Sequence, residues 1–196
     1  MVFDELVSTI PIHQLVKIAR FPIPERVRAA VGRLIVNPMY VISLGLRGAD
    51  AEKMTAIYFP EEDFLVNRIS YPSTFSSENA PAGRHSIQAE ITCRPNDRAW
   101  RMGDADVLEH TIDGLEKRGL LKRDAVLLTD VKRSRYSYVV YDSQYERNVK
   151  IVRDWFPRQG IHLAGRFSFF EYVNVDGAVA RAMEIAGGIN GRPVKL

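Results

Sequence analysis

The stretch LIVNPMYVISLGL, residues 34–46, predicts an extended strand near the start of the chain. Three further runs rich in β-forming residues follow it: MTAIYF (54–59), FLVNRISYP (64–72) and SIQAEITC (86–93). The turns between them contain Gly, Pro, Asn and Asp, and short strands separated by such turns are typical of antiparallel sheets. We therefore expect a mostly antiparallel sheet in the middle of the chain.

The remaining segments predict helices and further strands on both sides of this sheet. Apolar spacing and capping residues decide the type of each one. The predicted strands are 2–9, which stops before Pro11, 125–136 and 160–165. The first two predicted helices are 12–20 and 24–34, and a third begins near Asp104 or Asp106, either of which can cap it, and ends at Gly119. Two more helices are predicted: 144–156, with Val149, Ile151, Val152 and Trp155 inward, and 176–188, capped by Asp176 and closed by glycines. The fold class is α+β, with antiparallel strands and helices in one chain.

Composition excludes several classes of protein. The chain has 196 residues, 46% of them hydrophobic, and no apolar run long enough to span a membrane, so it predicts a globular, cytoplasmic protein. Its one cysteine, Cys93, suits a reducing compartment and is expected in the core. The four histidines lack metal-ligand spacing, so no metal site is predicted.

Charge is unevenly distributed along the chain. Between Lys117 and Arg135 there are seven basic and two acidic residues, against a net charge of +3 for the whole chain. This segment either faces a phosphate or polyanion, or it is a solvated helix end followed by the exposed side of a strand.

Two stretches favour ligand binding. KRSRYSYVVYDSQY (132–145) mixes tyrosines with arginines, which suits a sugar nucleotide or stacked single-stranded RNA, although alternate positions of an amphipathic strand would give the same pattern. HLAGRFSFFEYVNVDGAVARAM (162–183) leads through a glycine loop to a helix start, where free amides can bind an anion or a carbonyl oxygen. The 13-residue loop 73–85 is expected to be a functional flap or a mobile tip.

Several blocks in order resemble the carboxyl-terminal half of FAD-dependent flavoproteins, namely UDP-galactopyranose mutase and the protoporphyrinogen and amine oxidases. FDELVSTIP (3–11) is similar to the strand that re-enters the FAD domain, and residues 67–92 resemble the strand, long loop and strand on the substrate side. AGRFSFFEYVNVDGAVARAM (164–183) is similar to the closing FAD motif. The resemblance implies segments 1–33 and 136–196 from an incomplete, Rossmann-like FAD domain, and a substrate-binding sheet domain at 34–135.

The resemblance also implies site residues. Its substrate-binding positions are Arg68, Tyr138 and Tyr172, and its cofactor-binding positions are Gly165, Arg166, Asn174, Val175, Asp176 and Gly177. Arg68 and Tyr138 are expected on one concave face, where both would contact a substrate diphosphate. No residue is assigned to catalysis. Val139 stands where the mutases have a proline after the substrate tyrosine, and the second tyrosine and the histidine of their closing motif are lacking.

The implied activity is that of an FAD-dependent oxidoreductase or a UDP-sugar mutase-like isomerase. A G-x-G-x-x-G fingerprint is lacking, so we expect the chain to need an amino-terminal FAD-binding half, from the same gene or a separate chain, and to be inactive and free of FAD on its own. A sugar nucleotide is the expected substrate, with no membrane partner and nucleic acid disfavoured. The alternative is a non-enzymatic module that binds a nucleotide, a single-stranded nucleic acid or a protein.

Overall fold

A computed structural model describes residues 4–48 and 54–191. Contacts divide the chain into two compact units: a terminal unit, Met1–Val36 with Tyr138–Leu196, and a sheet unit, Asn37–Ser137. The strands are β1 (Leu6–Ser8), β2 (Val36–Arg47), β3 (Ala56–Tyr58), β4 (Arg68–Ser70), β5 (Arg84–Thr92), β6 (Val126–Val139) and β7 (Ile161–Leu163). The helices are α1 (Ile12–Ile18), α2 (Glu25–Arg33), α3 (Asp104–Lys117), α4 (Tyr145–Trp155) and α5 (Val175–Ile189).

Five strands form one sheet in the order β3-β4-β5-β2-β6, and the pairs β3–β4, β4–β5 and β2–β5 are antiparallel. Burial alternates along β2, because successive side chains of a strand point to opposite faces. Tyr40, Ile42 and Leu44 enter the core of the sheet unit. The predicted fold class, mixed helix and strand with an antiparallel sheet, is confirmed.

Helix α3 supplies core residues of the same unit, including Val107, Ile112 and Leu115. Gly114 lets it approach closely, since a Cβ there would lie 2.1 Å from Cε2 of Phe64. The prediction that Asp104 or Asp106 caps this helix is wrong. Gly103 occupies the cap position, and both acids lie in the first turn, where a negative charge complements the helix dipole.

The terminal unit contains a two-stranded parallel sheet, with Leu6 opposite Ile161 and Ser8 opposite Leu163. Helices α2 and α4 pack against each other in the same unit. On α4 the four residues predicted to face inward differ in burial. Val149 and Val152 are buried as expected, whereas Ile151 and Trp155 are half-buried. Tyr145 and Asn148 are the other buried positions of this helix.

Two predicted boundaries of α5 are wrong. The helix begins at Val175 with Asn174 at the cap position, so Asp176 lies inside the first turn and makes no capping bond. The glycine pair does not end the helix, which continues to Ile189. The chain leaves it at Gly191, whose φ of +63° suits a residue without a side chain.

The long loop between β4 and β5 has local order. Two 3₁₀ turns, Pro72–Thr74 and Ser77–Asn79, occupy it, and β5 already begins at Arg84. Its role as a flap or a mobile tip stays a prediction. Within the described ranges, no helix has the length and apolarity needed to cross a bilayer.

Candidate functional site

The segment after β7 turns sharply at Gly165 and Phe170. Gly165 has a φ of +80°, and a π-helical turn, Arg166–Phe170, follows it. Phe170 is fully buried and has a φ of +58°, an unfavourable conformation for a residue with a bulky side chain. Such a backbone persists only where neighbouring groups hold it.

Tyr145 and Arg153 of α4 hold this turn. The Tyr145 hydroxyl donates to the Phe170 carbonyl at 2.7 Å, and Nη2 of Arg153 donates to the same oxygen at 3.2 Å. Arg153 Nε also donates to the Phe169 carbonyl, at 3.0 Å, while its guanidinium carbon lies 3.8 Å from the centre of the Phe169 ring. Burial raises the pKa of Tyr145 to about 12, so its hydroxyl remains a donor. These contacts fix the direction in which the chain leaves the turn.

Three residues named by the sequence resemblance meet beyond the turn. The rings of Tyr138 and Tyr172 stack with centroids 5.8 Å apart and an interplanar angle of 17°. The guanidinium carbon of Arg166 lies 4.5 Å from the Tyr172 centroid and 5.9 Å from that of Tyr138. We call Arg166, Tyr138 and Tyr172 the aromatic–arginine cluster.

Backbone contacts hold this cluster in place. Arg166 Nε donates to the carbonyl of Val173 at 3.0 Å. The backbone N–H of Tyr172 donates to the Tyr141 hydroxyl at 2.7 Å. Tyr172 nevertheless remains half exposed, so its ring can also receive a ligand.

The other predicted cofactor positions surround the start of α5. Asn174, Val175 and Asp176 are exposed, Val175 by 80%, and Asn174 makes no side-chain cap. First-turn amides without a cap fit the oxygen atoms of a flavin or a phosphate. Gly165 has no atom within 4 Å of a built Cβ, which leaves open space beside the turn. The negative charge of Asp176 favours a neutral oxygen over a second anion here.

Arg68 lies in the sheet unit, on β4. Its Nε donates to Oε2 of Glu90 at 3.0 Å and its Nη2 to Oε1, which makes a two-point ion pair between register partners on β4 and β5. Glu90 is almost fully buried, whereas Arg68 is about one-third exposed. The predicted strands 64–72 and 86–93 contain Arg68 and Glu90, respectively. The sequence does not reveal how these two strands align, because a long loop separates them, so it does not predict this ion pair. Arg68 and Tyr138 belong to different units, so a shared site for them stays a prediction.

The basic segment is largely paired with acidic side chains. Arg123 contacts Glu109 at 2.6 Å and also contacts Asp113 and Glu116. Three other bases have acidic partners: Arg118 with Asp63, Lys132 with Asp130 and Arg133 with Asp104. The segment therefore fits a solvated helix end and strand better than a polyanion site.

Histidine and cysteine have packing roles. His13 donates from Nε2 to the Leu34 carbonyl at 2.9 Å, and burial lowers its pKa. His110 Nε2 accepts from the Leu65 N–H at 3.0 Å, and burial lowers its pKa too. Cys93 is 1% exposed, as expected of a core residue, and burial raises its thiol pKa to about 11. No group of metal-binding side chains occurs among the described residues.

The chain shares its fold with several solved enzymes. A structure of reduced UDP-galactopyranose mutase matches 97% of this chain with a TM-score of 0.87 and 20% identity. A putative protoporphyrinogen oxidase from Exiguobacterium sp. 255-15 matches 95% of this chain with a TM-score of 0.73 and 18% identity. A structure of putrescine oxidase bound to putrescine matches 96% of this chain with a TM-score of 0.70 and 14% identity. The chain spans 42%, 41% and 43% of their lengths, respectively.

No protein-family model and no curated protein matches the sequence. The resemblance inferred from the sequence is confirmed at the level of the fold.

Proposed function

We propose that this chain is the substrate-binding and flavin-capping part of an FAD-dependent oxidoreductase or a UDP-sugar mutase-like flavoenzyme. The aromatic–arginine cluster carries the proposal. Tyr138 lies in a different stretch of sequence from Arg166 and Tyr172, and the family resemblance assigns Arg166 to the cofactor and both tyrosines to the substrate.

The chemistry of the cluster suits a flavin nucleotide. Exposed tyrosine rings pack on a planar ring or a sugar, and a guanidinium binds phosphate oxygens with charge-assisted hydrogen bonds. The amides of residues 174–177 would donate to the oxygens of the flavin pyrimidine edge, which are neutral and so tolerate Asp176. When bound, FAD would supply a ring that accepts a hydride or, once reduced, acts as a nucleophile.

Arg68 would act on the substrate side as an oriented cation. The contact with Glu90 fixes the direction of its guanidinium but also neutralises part of its charge. Arg68 is therefore better suited to donate hydrogen bonds to a bound substrate diphosphate than to attract a diphosphate from a distance.

The remainder of the flavoenzyme is part of the proposal. The matched enzymes are more than twice as long as the part that this chain spans. An amino-terminal half, in the same protein or a separate one, would donate backbone hydrogen bonds to the FAD pyrophosphate. The chain alone cannot form these hydrogen bonds, so it should bind FAD more weakly.

The test is reconstitution of flavin binding. The chain is purified alone and after co-production with the product of the reading frame immediately upstream, and flavin absorbance per chain is measured. We expect stoichiometric FAD only in the complex, and strongly reduced occupancy with Arg166→Ala. The control is Arg158→Ala, which removes an exposed arginine outside the cluster.

A complex without flavin, or equal flavin occupancy in both variants, would overturn the proposal. The alternative binding module has its own signature in the same preparations. Oligonucleotide binding that weakens steeply with salt and ignores sequence would favour it, whereas saturable UDP binding would favour a sugar-nucleotide site.

A further inference from the structure

A cavity of about 460 Å³ opens in the sheet unit beside helix α3. Its volume falls within the range of small-molecule sites, roughly 300–1,000 Å³. All of its lining residues lie between Asp63 and His110, and none of them is a position assigned to the flavin or the substrate. A ligand in this cavity would therefore occupy a second site.

The apolar walls of the cavity are held in place by the fold. Leu65, Ala99 and Met102 line it and pack against the core of the sheet unit. The Tyr40 hydroxyl lies 2.9 Å from the Met102 carbonyl and 3.1 Å from the Trp100 carbonyl, and so anchors the turn that begins at Ala99. Because the walls are fixed before a ligand arrives, the apolar body of a ligand can be buried with little loss of side-chain freedom.

His110 lines the cavity with a ring of defined tautomer. Its Nε2 accepts a hydrogen bond from the Leu65 N–H at 3.0 Å, so the proton of the neutral ring is on Nδ1. Burial lowers the pKa of His110, which keeps the ring neutral at pH 7. The described part of the chain provides no acceptor for Nδ1. One N–H donor of His110 is thus available to a ligand.

Two exposed side chains of opposite charge, Arg98 and Asp106, also line the cavity. Among the described residues neither forms an ion pair, whereas Asp63, the other charged lining residue, pairs with Arg118 at 3.4 Å. An anion alone would meet the carboxylate of Asp106, and a cation alone would meet the guanidinium of Arg98. A zwitterion complements both charges.

We propose that this cavity binds a free amino acid with an apolar side chain. The carboxylate of the ligand accepts hydrogen bonds from Arg98 and from Nδ1 of His110, and its ammonium group contacts Asp106. The side chain of the ligand packs on Leu65 and Met102. This inference goes beyond the proposed function and does not depend on it, because none of these contacts involves a flavin.

The test is isothermal titration calorimetry of the 196-residue chain with L-leucine, L-methionine and L-phenylalanine. We expect saturable binding of one amino acid per chain. The amide of the tightest ligand, which lacks the carboxylate, and its deaminated acid, which lacks the ammonium group, should each bind at least tenfold more weakly. Circular dichroism verifies the fold, and if the chain needs an amino-terminal half to fold, the co-produced complex is titrated instead.

Matched variants test whether the binding occurs in this cavity. Asp106→Asn should weaken it at least tenfold, whereas Asp124→Asn, at an exposed acid outside the cavity, should leave it unchanged. Arg98→Gln should also weaken it at least tenfold, whereas Arg94→Gln, at another exposed arginine, should not.

Three results would overturn the amino acid site: no saturable binding of any of the three amino acids, an analogue of single charge that binds as tightly as the amino acid, or equal affinities in the test and control variants. Flavin occupancy does not enter these measurements. A chain that binds the amino acid but forms no flavin complex would leave this site standing and overturn the proposed function.

Discussion

Arg68 and Glu90 form a two-point ion pair across β4 and β5, with the carboxylate almost fully buried. Removal of the arginine alone leaves that carboxylate without its partner, which costs more than the pair itself contributes. We expect Arg68→Ala to lower the free energy of unfolding by about 2–3 kcal/mol in urea denaturation. The double variant Arg68→Met with Glu90→Leu should recover most of the loss. Additive losses in the double variant would contradict this account.

The stack of Tyr172 on Tyr138 should depend on the ring and not on the hydroxyl. Tyr172→Phe keeps both the stacking and the contact with Arg166, whereas Tyr172→Ala removes about 0.5–1.5 kcal/mol of aromatic interaction. We expect faster amide exchange at residues 166–173 and a changed near-ultraviolet dichroism spectrum for the alanine variant only. Phe75→Ala, in the sheet unit, is the control. If amide exchange at residues 166–173 also became faster in Tyr172→Phe, the Tyr172 hydroxyl and not the ring stack would hold this segment.

Acid should destabilise the fold through His13. Burial lowers its pKa below 6.5 despite hydrogen bonds to the Leu34 and Val31 carbonyls that act in the opposite direction. The unfolded chain therefore binds a proton more readily, and stability is lost as the pH falls through 6.5 toward the pKa of the folded state. We expect a smaller decrease in the unfolding free energy between pH 7.5 and 5.5 for His13→Gln than for the parent protein. His85→Gln, measured in parallel, should retain the parent's decrease.

Cys93 should be unreactive in the folded protein. Its thiol is 1% exposed and burial raises its pKa to about 11, so little thiolate forms at pH 8. Iodoacetamide at pH 8 should label Cys93 in urea but not in buffer, as measured by intact mass. Rapid labelling without urea would show that the core around Cys93 opens readily.

Local patterns in the sequence predicted most strands and helices, because burial follows the period of each element. The β2 segment is the clearest case, since Tyr40, Ile42 and Leu44 alternate with half-buried positions over the whole strand. The end of α3 was also predictable, because Gly119 adopts a φ of +72° that glycine tolerates.

Features that depend on distant contacts were not predictable. The strained backbone at Phe170 exists because Tyr145 and Arg153 of another helix bind its carbonyl. Asp176 matched the pattern of a helix cap, yet the chain enters α5 two residues earlier. The candidate site was found by family resemblance, and the residues that hold its turn have no local signature.

Strand β6 carries several basic residues along an open edge of the sheet. This 14-residue strand lies at the edge of the five-stranded sheet, where its outer peptide groups could pair with a strand of another molecule. Leu127 and Leu128 are exposed near its start. Lys132, Arg133 and Arg135 follow along the same edge, where Lys132 pairs with Asp130 and Arg133 with Asp104. Charged side chains on an edge strand disfavour its pairing with a strand of another molecule, including where each charge has an acidic partner. We therefore expect these residues to oppose aggregation along the open edge of β6.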